Sequence, residues 1–281
     1  MYTKTAKSMK YAAIIPARNE EKHIEKTLTA LKNQTIPPTQ IIVVDDGSRD
    51  KTHQIASKYT EDVVRLPDRG YNAVGNTPEL SRVFNHGLSR VKEDANYVLI
   101  CGADNILPEV FFETIYRKMQ ANPKLVIASG RPRGEPYSEH SPRGSRVVDA
   151  QFWRDVSGLQ YPVAWGWEDW LYFKALQGGY EAKCFHDIVT QPQRPILTSA
   201  RAGKARLWGK AMYALGYHWR YALGRIALTF FKNPKAGINM FFGWFLHGDV
   251  QKLDVADWVN QRQKNQFWKR VWSIVKHGGR K

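Results

Sequence analysis

Acidic side chains recur directly after short apolar segments of this chain. Asp45-Asp-Gly-Ser48 follows Gln40–Val44, and Gly102-Ala-Asp104 follows Tyr97–Cys101. Apolar runs of this length, bounded by polar residues, are typical of buried strands. A carboxylate is costly inside an apolar core but suits a ligand-binding edge, where it accepts hydrogen bonds. The pattern therefore predicts a polar binding site at the ends of these strands.

Two further polar motifs lie at comparable places. Pro16-Ala-Arg-Asn-Glu20 follows the first apolar run, and Trp167-Glu-Asp-Trp170 begins a helical pattern that continues to about Leu176. Residues 130–161, which precede the second motif, are rich in Arg, Pro, Gly and Ser and predict a long irregular region. Positioned carboxylates such as Glu168 and Asp169 can take up a proton, although acids at a helix N-terminus are also favoured by the helix dipole alone.

The elements that must position these motifs alternate along residues 11–129. The predicted strands are Tyr11–Ile15, Gln40–Val44, Asp62–Leu66, Tyr97–Cys101 and Lys124–Ser129. The predicted helices are Glu20–Lys32, Asp50–Tyr59, Pro78–Val91 and Pro108–Gln120. Strands that alternate with helices predict an α/β fold, with a mostly parallel sheet covered on both faces. Ligands of such sheets bind beyond the carboxyl ends of the strands, where the strand order reverses.

Composition excludes several classes of protein. The 281 residues are 43% hydrophobic, which is enough for a substantial core and excludes disorder as the main state. The only two cysteines, Cys101 and Cys184, form no CxxC pair, so we expect neither a disulfide framework nor a thiolate zinc site, and a reducing compartment fits best. We expect no export signal at residues 1–10 and no membrane-spanning segment, because Ala236–Gly248 has only thirteen residues.

Positive charge is concentrated near the C-terminus. The formal net charge is +16, and residues 201–281 hold 16 Lys and Arg against three Asp, a net charge of +13. Six of the ten tryptophans lie in the same stretch. We therefore predict two domains, a body at residues 1–200 and a basic, Trp-rich helical tail at residues 201–281.

Helical periodicity in this tail marks two apolar stripes. The first stripe is Trp208, Ala211, Met212, Leu215, Trp219, Ala222, Leu223, Ile226 and Phe230, and the second is Phe267, Trp268, Val271, Trp272 and Val275. Such stripes can pack against the rest of the protein. With the surrounding basic residues they can also bind an anionic membrane surface, which is the interpretation we favour, or contact nucleic acid.

Four motifs, taken in order, resemble those of the family 2 glycosyltransferases with a GT-A fold. They are Ile14-Ile-Pro-Ala-Arg-Asn-Glu-Glu21, Val43-Val-Asp-Asp-Gly-Ser-Arg-Asp-Lys-Thr52, Gly102-Ala-Asp104 and Trp167-Glu-Asp-Trp170. The resemblance covers about residues 10–180, and the order of the first two motifs around a predicted helix makes it specific. A softer similarity links residues 203–243 to the basic tails of members that extend cell-surface or lipid-linked glycans. The resemblance implies a Rossmann-like GT-A sheet and an inverting transferase.

The resemblance also implies which residues bind a nucleotide-diphosphate-sugar donor. Asp45 would accept a hydrogen bond from a base N–H, and Arg194 is a candidate for binding the diphosphate. The complete implied donor site is Pro16, Ala17, Arg18, Glu20, Asp45, Asp46, Gly47, Ala103 and Arg194.

The same resemblance implies a metal ligand and a catalytic base. Asp104 would bind Mg²⁺ or Mn²⁺, although Gly102 stands where a further acid is usual in the family's metal motif; alternatively, Asp104 only ends a strand. Asp169 would remove the proton of the acceptor hydroxyl. Glu168, Trp167 and Trp170 would lie on the acceptor side, with the indole rings as candidates to stack on a sugar or lipid.

The sequence thus predicts a metal-dependent hexosyltransferase that acts on a lipid-linked or cell-envelope glycan. We expect it to be cytoplasmic and peripheral at the inner face of the cell membrane. Two alternatives remain: a glycosyltransferase whose acceptor is a nucleic acid, and a non-catalytic module that binds membrane or nucleic acid. The sequence leaves open the donor sugar, the base, the acceptor, processivity and the oligomeric state.

Overall fold

Eight strands form one mixed sheet in the computed structural model. The structure describes residues 9–71, 77–134, 139, 142, 144–194 and 202–276. For residues 202, 203 and 267–276 it describes the backbone only. The strands are β1 (Tyr11–Ala17), β2 (Gln40–Asp45), β3 (Val63–Arg65), β4 (Tyr97–Ile100), β5 (Asn105–Ile106), β6 (Leu125–Pro132), β7 (Arg146–Asp149) and β8 (Glu181–Pro192). Their order across the sheet is β3-β2-β1-β4-β7-β6-β8-β5.

The first half of the sheet is parallel, as the sequence predicts. β1 pairs in parallel with β2 on one side and with β4 on the other, so the strand order reverses at β1. β7 is antiparallel to both β4 and β6, while β6 and β8 are parallel. The predicted α/β class with a mostly parallel sheet is therefore confirmed, with antiparallel insertions at β7 and β5.

The helices of the sheet unit connect its strands, and further helices follow in the second half of the chain. In unbroken chain order they are α1 (Ile24–Lys32), α2 (Thr52–Ala56), α3 (Pro78–Leu88), α4 (Phe111–Ala121), α5 (Ala150–Ser157), α6 (Trp167–Gln177), α7 (Ala202–Ala214), α8 (Trp219–Lys232), α9 (Pro234–Phe245) and α10 (Ala256–Lys276). The prediction that residues 130–161 are irregular was wrong in part, because they contain β7 and α5. Asp149 caps α5 by accepting a hydrogen bond from the Phe152 N–H at 2.9 Å.

Alternate residues of β1 pack on opposite faces of the sheet. Tyr11 and Ile15 belong to a buried cluster with Leu28 of α1 and Phe112 of α4. On the other face, α3 approaches so closely that a Cβ atom added to Gly87 would lie 2.7 Å from Cγ2 of Ile14. Helices therefore cover both faces, which fixes the carboxyl edge of β1, β2 and β4 as the accessible side for a ligand.

The chain divides into two compact units. Unit 1 comprises residues 1–73, 82–161 and 178–196 and contains the whole sheet. Unit 2 comprises residues 74–81, 162–177 and 197–281, so α6 belongs with the helices of the tail. The predicted functional boundary at residue 200 stays a prediction.

Unit 2 has its own apolar core, formed largely by the first predicted stripe. Met212, Ala222 and Ile226 are at most 8% exposed and cluster with Met240 of α9. The backbones of α7 and α9 lie in contact, because a Cβ atom on Gly243 would lie 2.0 Å from the Arg206 carbonyl oxygen. Most of the first stripe thus packs inside the protein. The side chains of the second stripe lie outside the described residues.

Two helical glycines give a matched test of how closely α3 packs against the sheet. Gly87→Ala should lower the free energy of unfolding by about 1–3 kcal/mol, because the added methyl group meets Ile14 and Val44 of the sheet. Gly224→Ala in α8, where no atom lies within 4 Å of the added Cβ, should raise it by about 0.5–1 kcal/mol. Urea denaturation followed by circular dichroism measures both values. Equal effects of the two substitutions would contradict the close approach of α3 to the sheet.

Candidate active site

Asp45 is a fully buried carboxylate at the carboxyl end of β2. Its Oδ1 atom accepts a hydrogen bond from the Ser48 N–H at 2.9 Å. Its Oδ2 atom lies 3.4 Å from Nδ1 of His53 and 3.6 Å from Nε of Arg65, yet it accepts no hydrogen bond from any described residue. A buried carboxylate oxygen without a donor is costly. The group is therefore held in place on one side and ready to accept a hydrogen bond on the other.

Asp46 lies next to it and is 3% exposed. Its Oδ2 atom accepts a hydrogen bond from Arg69, while its buried Oδ1 atom accepts none within the part of the chain that the structure describes. Burial raises the pKa of the Asp46 carboxyl, and the nearby Arg69 and Arg18 guanidinium groups partly oppose that shift. Asp46 adds a second unsatisfied acceptor to the site.

Arg18 connects the segments that follow β1, β2 and β3. Its guanidinium group donates to the Asp46 carbonyl oxygen and, at 2.5 Å, to Oδ1 of Asp68. Arg49 donates to the other oxygen of Asp68, also at 2.5 Å. The hydrogen bonds from Arg18 and Gly70 hold the pKa of Asp68 well below its usual range. Three loops are thus tied together by charge-assisted hydrogen bonds.

The backbone at Gly47 allows these loops to meet. Gly47 has φ = +68°, a left-handed conformation, and a Cβ atom there would lie 2.5 Å from Cα of Asp68. Pro16 and Ala17 lie in register with Val44 and Asp45 of the neighbouring strand. The two predicted segments, Pro16 to Arg18 and Asp45 to Gly47, are therefore gathered at one edge of the sheet.

A second acidic cluster lies at the ends of β1 and β4 and is bridged by Arg194. The guanidinium group donates from Nη2 to Oε1 of Glu20 at 2.6 Å and from Nε to Oδ2 of Asp104 at 2.8 Å. Glu20 is 7% exposed, and its Oε2 atom is buried and has no hydrogen-bond partner among the described residues. Burial raises the pKa of Glu20, and Arg194 acts in the opposite direction. The predicted diphosphate and metal residues are thus adjacent in unit 1.

Ala103 and its neighbours are fixed by polar contacts. The Ala103 carbonyl oxygen accepts a hydrogen bond from the Thr27 hydroxyl of α1 at 2.8 Å. Gln193 donates through its N–H to the Asp104 carbonyl oxygen at 2.8 Å and through its amide group to Thr27 Oγ1 at 3.1 Å. The segment that carries Asp104 is therefore preorganised between α1 and the residues after β8.

The carboxylate oxygens of this cluster are too few to hold a hard cation by themselves. They suit such a cation when a bound molecule supplies further oxygens. Over the described ranges, no three His, Cys, Asp or Glu side chains converge as a metal site. Asp104 offers one carboxylate, 28% exposed, and Glu20 offers a buried oxygen that lacks a hydrogen bond. One or two carboxylates plus diphosphate oxygens and water form a usual ligand set for Mg²⁺ or Mn²⁺. The residues present therefore fit such an ion in the presence of a diphosphate.

Asp169 lies in unit 2, in the first turn of α6. Its N–H donates to the Gly166 carbonyl oxygen at 3.2 Å, and its side chain is exposed. Glu168 is half-buried. An exposed carboxylate at a helix N-terminus is accessible to a ligand.

The two tryptophans of this motif are placed differently from the prediction. Trp167 is 0% and Trp170 is 5% exposed, so neither indole ring presents a face on which a sugar or lipid could stack. Nε1 of Trp170 donates to Oδ1 of Asp254 at 2.6 Å, and Lys174 pairs with the other oxygen of Asp254 at 2.6 Å. A network within unit 2 thus holds Trp170, and the two rings anchor the start of α6.

Three charged residues of the site escaped the sequence prediction: Arg65, Asp68 and Arg69. All follow or end β3, at the same carboxyl edge as the predicted motifs. The rule that residues after each strand face the ligand applies to them equally. Their position at the end of a strand could therefore have identified them. They were missed because β3 is only three residues long and no motif marks its end.

Comparison with known proteins decides the family. Residues 12–184, more than half of the chain, match the family described as glycosyl transferase family 2. The chain belongs to that family. The matched range includes the strand-end acids and the Trp-Glu-Asp-Trp motif, and Arg194 lies outside it.

Curated relatives overlap this chain over short stretches. A glycosyltransferase of Streptococcus pneumoniae, GlyA, is 30% identical over 110 residues, 39% of this chain and 15% of that protein. The poly(ribitol-phosphate) beta-N-acetylglucosaminyltransferase TarS of Staphylococcus aureus is 45% identical over 53 residues, 18% of this chain and 9% of that protein. The chain thus spans less than a fifth of the length of these relatives.

Solved structures show the fold over a longer range. The mannosyltransferase PcManGT of Pyrobaculum calidifontis has a TM-score of 0.58 at 15% identity, over 96% of this chain and 84% of that chain. Residues 1–349 of S. aureus TarS give a TM-score of 0.53 at 15% identity, over 85% of this chain and 91% of that chain. The predicted GT-A fold is confirmed.

Arg194 gives a direct test of the second acidic cluster. Arg194→Gln leaves the buried Glu20 carboxylate without its cation, so the free energy of unfolding at pH 7 should fall by about 1–3 kcal/mol. The loss should shrink as the pH falls, because protonation of Glu20, whose pKa burial already raises, removes the unpaired charge. Chemical denaturation at several pH values measures the difference.

Arg117→Gln is the matched control. Arg117 pairs with Glu113 on the surface of α4 at 2.6 Å, so this substitution should cost about 0.5 kcal/mol or less. If both variants lose the same stability at every pH, Arg194 is an ordinary surface arginine.

Proposed function

We propose that this family 2 enzyme moves a sugar from a nucleotide-diphosphate-sugar to a hydroxyl group, with inversion at the anomeric carbon. The observation that carries the proposal is Asp45: a buried carboxylate, fixed by the Ser48 N–H, whose Oδ2 atom accepts no hydrogen bond from the residues that the structure describes. A nucleoside base offers an N–H group that can satisfy it. Arg194, whose side chain is 51% exposed, can in addition donate hydrogen bonds to an anionic group of the ligand.

The fold neighbours support this class of donor. TarS was solved with UDP and with UDP-GlcNAc, and PcManGT with GDP-Man and Mn²⁺. These ligands share a nucleoside diphosphate and differ in base and sugar. We accordingly propose the shared chemistry and leave the base and the sugar open.

Each residue of the unit 1 site has a proposed role. Asp45 accepts a base N–H, and the segment from Pro16 to Arg18 with Glu20 binds the base and ribose. Asp46 and Gly47 shape the pocket, and Ala103 lines it. Arg194 stabilises the diphosphate. To do so, it must replace some of its hydrogen bonds to Glu20 and Asp104 with hydrogen bonds to the diphosphate oxygens. These exchanges keep charges paired before and after donor binding.

We propose Asp104 as the protein ligand of a divalent cation. Mg²⁺ or Mn²⁺ bound with the donor would stabilise negative charge on the leaving diphosphate. Glucosyl-3-phosphoglycerate synthase of Mycobacterium tuberculosis, a fold neighbour at 15–16% identity with a TM-score of 0.54, was solved with Mg²⁺ or Mn²⁺ and UDP. This supports use of a divalent cation here.

Asp169 is the proposed catalytic base. Its carboxylate takes the proton of the acceptor hydroxyl as that oxygen forms a bond to the anomeric carbon. The bond from the anomeric carbon to the diphosphate oxygen breaks, and the nucleoside diphosphate leaves with the electron pair. Glu168, half-buried in the same turn, is proposed to orient the acceptor.

The acceptor we propose is a lipid-linked or cell-envelope glycan at the inner face of the cell membrane. The basic tail, residues 201–281 with a net charge of +13, would bring the enzyme to anionic lipid. TarS acts on poly(ribitol-phosphate), and another S. aureus relative, 46% identical over 55 residues, is a 4,4'-diaponeurosporenoate glycosyltransferase. These overlaps cover 9% and 14% of those proteins, and they support the class of acceptor only.

Asp169→Asn tests the proposed reaction. The variant keeps the size of the side chain but cannot take a proton, so turnover should fall at least about 10²-fold with little change in donor affinity. Sugar release from a panel of nucleotide sugars, with and without Mn²⁺, identifies the donor for this assay. Glu168→Gln serves as the neighbouring control. Near-normal turnover of Asp169→Asn with a large loss in Glu168→Gln would show that the other carboxylate is the base.

A further inference from the structure

The outward face of α8 is apolar. Ala222 and Ile226 point into the core of unit 2, at 0% and 8% exposure. On the opposite side of the helix, Leu228 is 67% and Phe231 is 83% exposed. A surface helix normally carries polar residues on that side. An exposed phenylalanine next to an exposed leucine therefore calls for a partner surface.

The following helix, α9, repeats this arrangement. Ala236 and Met240 are buried, at 0% and 1% exposure. Ile238, Phe242 and Phe245 are 47%, 42% and 62% exposed and follow one another at spacings of four and three residues. This spacing places the three side chains along one side of the helix. Both helices thus have an apolar inner side and an apolar outer side.

α8 and α9 form a tight hairpin within unit 2. Asn233 joins them, and its side chain caps α9 by accepting a hydrogen bond from the Ala236 N–H at 3.1 Å. A Cβ atom on Gly237 would lie 2.5 Å from Cα of Phe230, so the two backbones are in contact. The exposed apolar residues therefore belong to one structural element, which we call the hairpin surface: Trp219, Leu223, Leu228, Phe230, Phe231, Ile238, Phe242, Phe245 and Leu246.

The hairpin surface is cationic as well as apolar. Residues 201–248 contain no Asp or Glu, and the hairpin itself carries Arg220, Arg225, Lys232 and Lys235. Anionic headgroups attract such residues at about 1 kcal/mol each, while aromatic and aliphatic side chains enter the boundary between headgroups and acyl chains. A second copy of the chain on this surface would instead bring the same four cations face to face.

Neither helix of the hairpin is long enough to cross a bilayer. Fourteen and twelve residues give lengths of about 21 and 18 Å, against a hydrocarbon core of about 30 Å. No helix found over the described ranges combines the length and apolarity of a membrane span.

We infer that the hairpin surface docks this enzyme on an anionic lipid bilayer. The inference rests on the proposed association of the tail with a membrane and specifies its location. The hairpin surface shares Trp219, Leu223 and Phe230 with the first predicted stripe, whose other members are largely buried: Ala211, Met212, Leu215, Ala222 and Ile226. The docking residues lie mainly on the opposite sides of α8 and α9.

Flotation with vesicles tests this assignment. The 281-residue chain should bind vesicles of phosphatidylcholine with 30% phosphatidylglycerol more strongly than pure phosphatidylcholine, and added salt should weaken only part of that binding. Phe231→Glu and Phe242→Glu should each lower the partition coefficient at least fivefold. Val110→Glu, which places the same charge on a 50% exposed apolar residue of unit 1, should leave it unchanged. Thermal unfolding confirms that each variant is folded.

The outcomes separate this inference from the proposal on which it rests. If both glutamate variants bind anionic vesicles like the wild type, another part of the tail binds membrane and the hairpin assignment is wrong. If the wild type binds neither kind of vesicle, the membrane association itself fails, whereas donor turnover still reports on the proposed reaction. A wild-type dimer in light scattering that Phe231→Glu converts to monomer, without vesicle binding, would assign the hairpin surface to self-association.

Discussion

Burial of carboxylates at the carboxyl edge of the sheet is the constraint on which the rest of the site depends. Asp45, Asp46 and Glu20 are each at most 7% exposed, and an isolated buried carboxylate is strongly unfavourable. The surrounding loops supply cations and N–H groups that offset this cost. Arg18, Arg69 and Arg194 reach these acids or their backbone from three segments of the chain. One oxygen of each acid accepts no hydrogen bond over the described ranges of the chain, which is the property expected of a site completed by its ligand.

The order of the strands explains why acids far apart in sequence meet. β1 lies between β2 and β4 with all three parallel, so the segments that follow them leave the sheet at the same edge. The sequence predicts this grouping from apolar runs followed by acids, and β1, β2 and β4 begin at the predicted residues. The pairing of Arg194 with both Glu20 and Asp104 could not be predicted, because it depends on how β8 returns to the sheet. β7 was missed because a four-residue strand in a polar segment has too little periodicity to detect.

Hydrophobic periodicity did not identify which side of the tail helices is exposed. A stripe of apolar residues predicts that one side of a helix is covered, but α8 and α9 are apolar on two sides. Sequence alone cannot distinguish the side that packs in unit 2 from the side that stays exposed. The prediction therefore selected mostly core residues such as Met212 and Ile226 and overlooked Phe231 and Phe245. Trp167 and Trp170 show the same ambiguity, since a large aromatic residue beside an acid suits either a sugar platform or a buried anchor.

Calorimetric titration of nucleoside diphosphates tests the central claim, that Oδ2 of Asp45 accepts a hydrogen bond from a base N–H. UDP and GDP, each with Mn²⁺, are titrated into the wild type, Asp45→Asn and the control Asp187→Asn, whose carboxylate is exposed and pairs with Lys118 at 3.1 Å. Asn at position 45 can still accept the Ser48 N–H, but then directs its NH₂ group at the ligand. The account predicts that one nucleotide binds the wild type and Asp187→Asn equally, and Asp45→Asn at least about tenfold more weakly. Equal affinity in Asp45→Asn, or no binding of either nucleotide to the wild type, would contradict it.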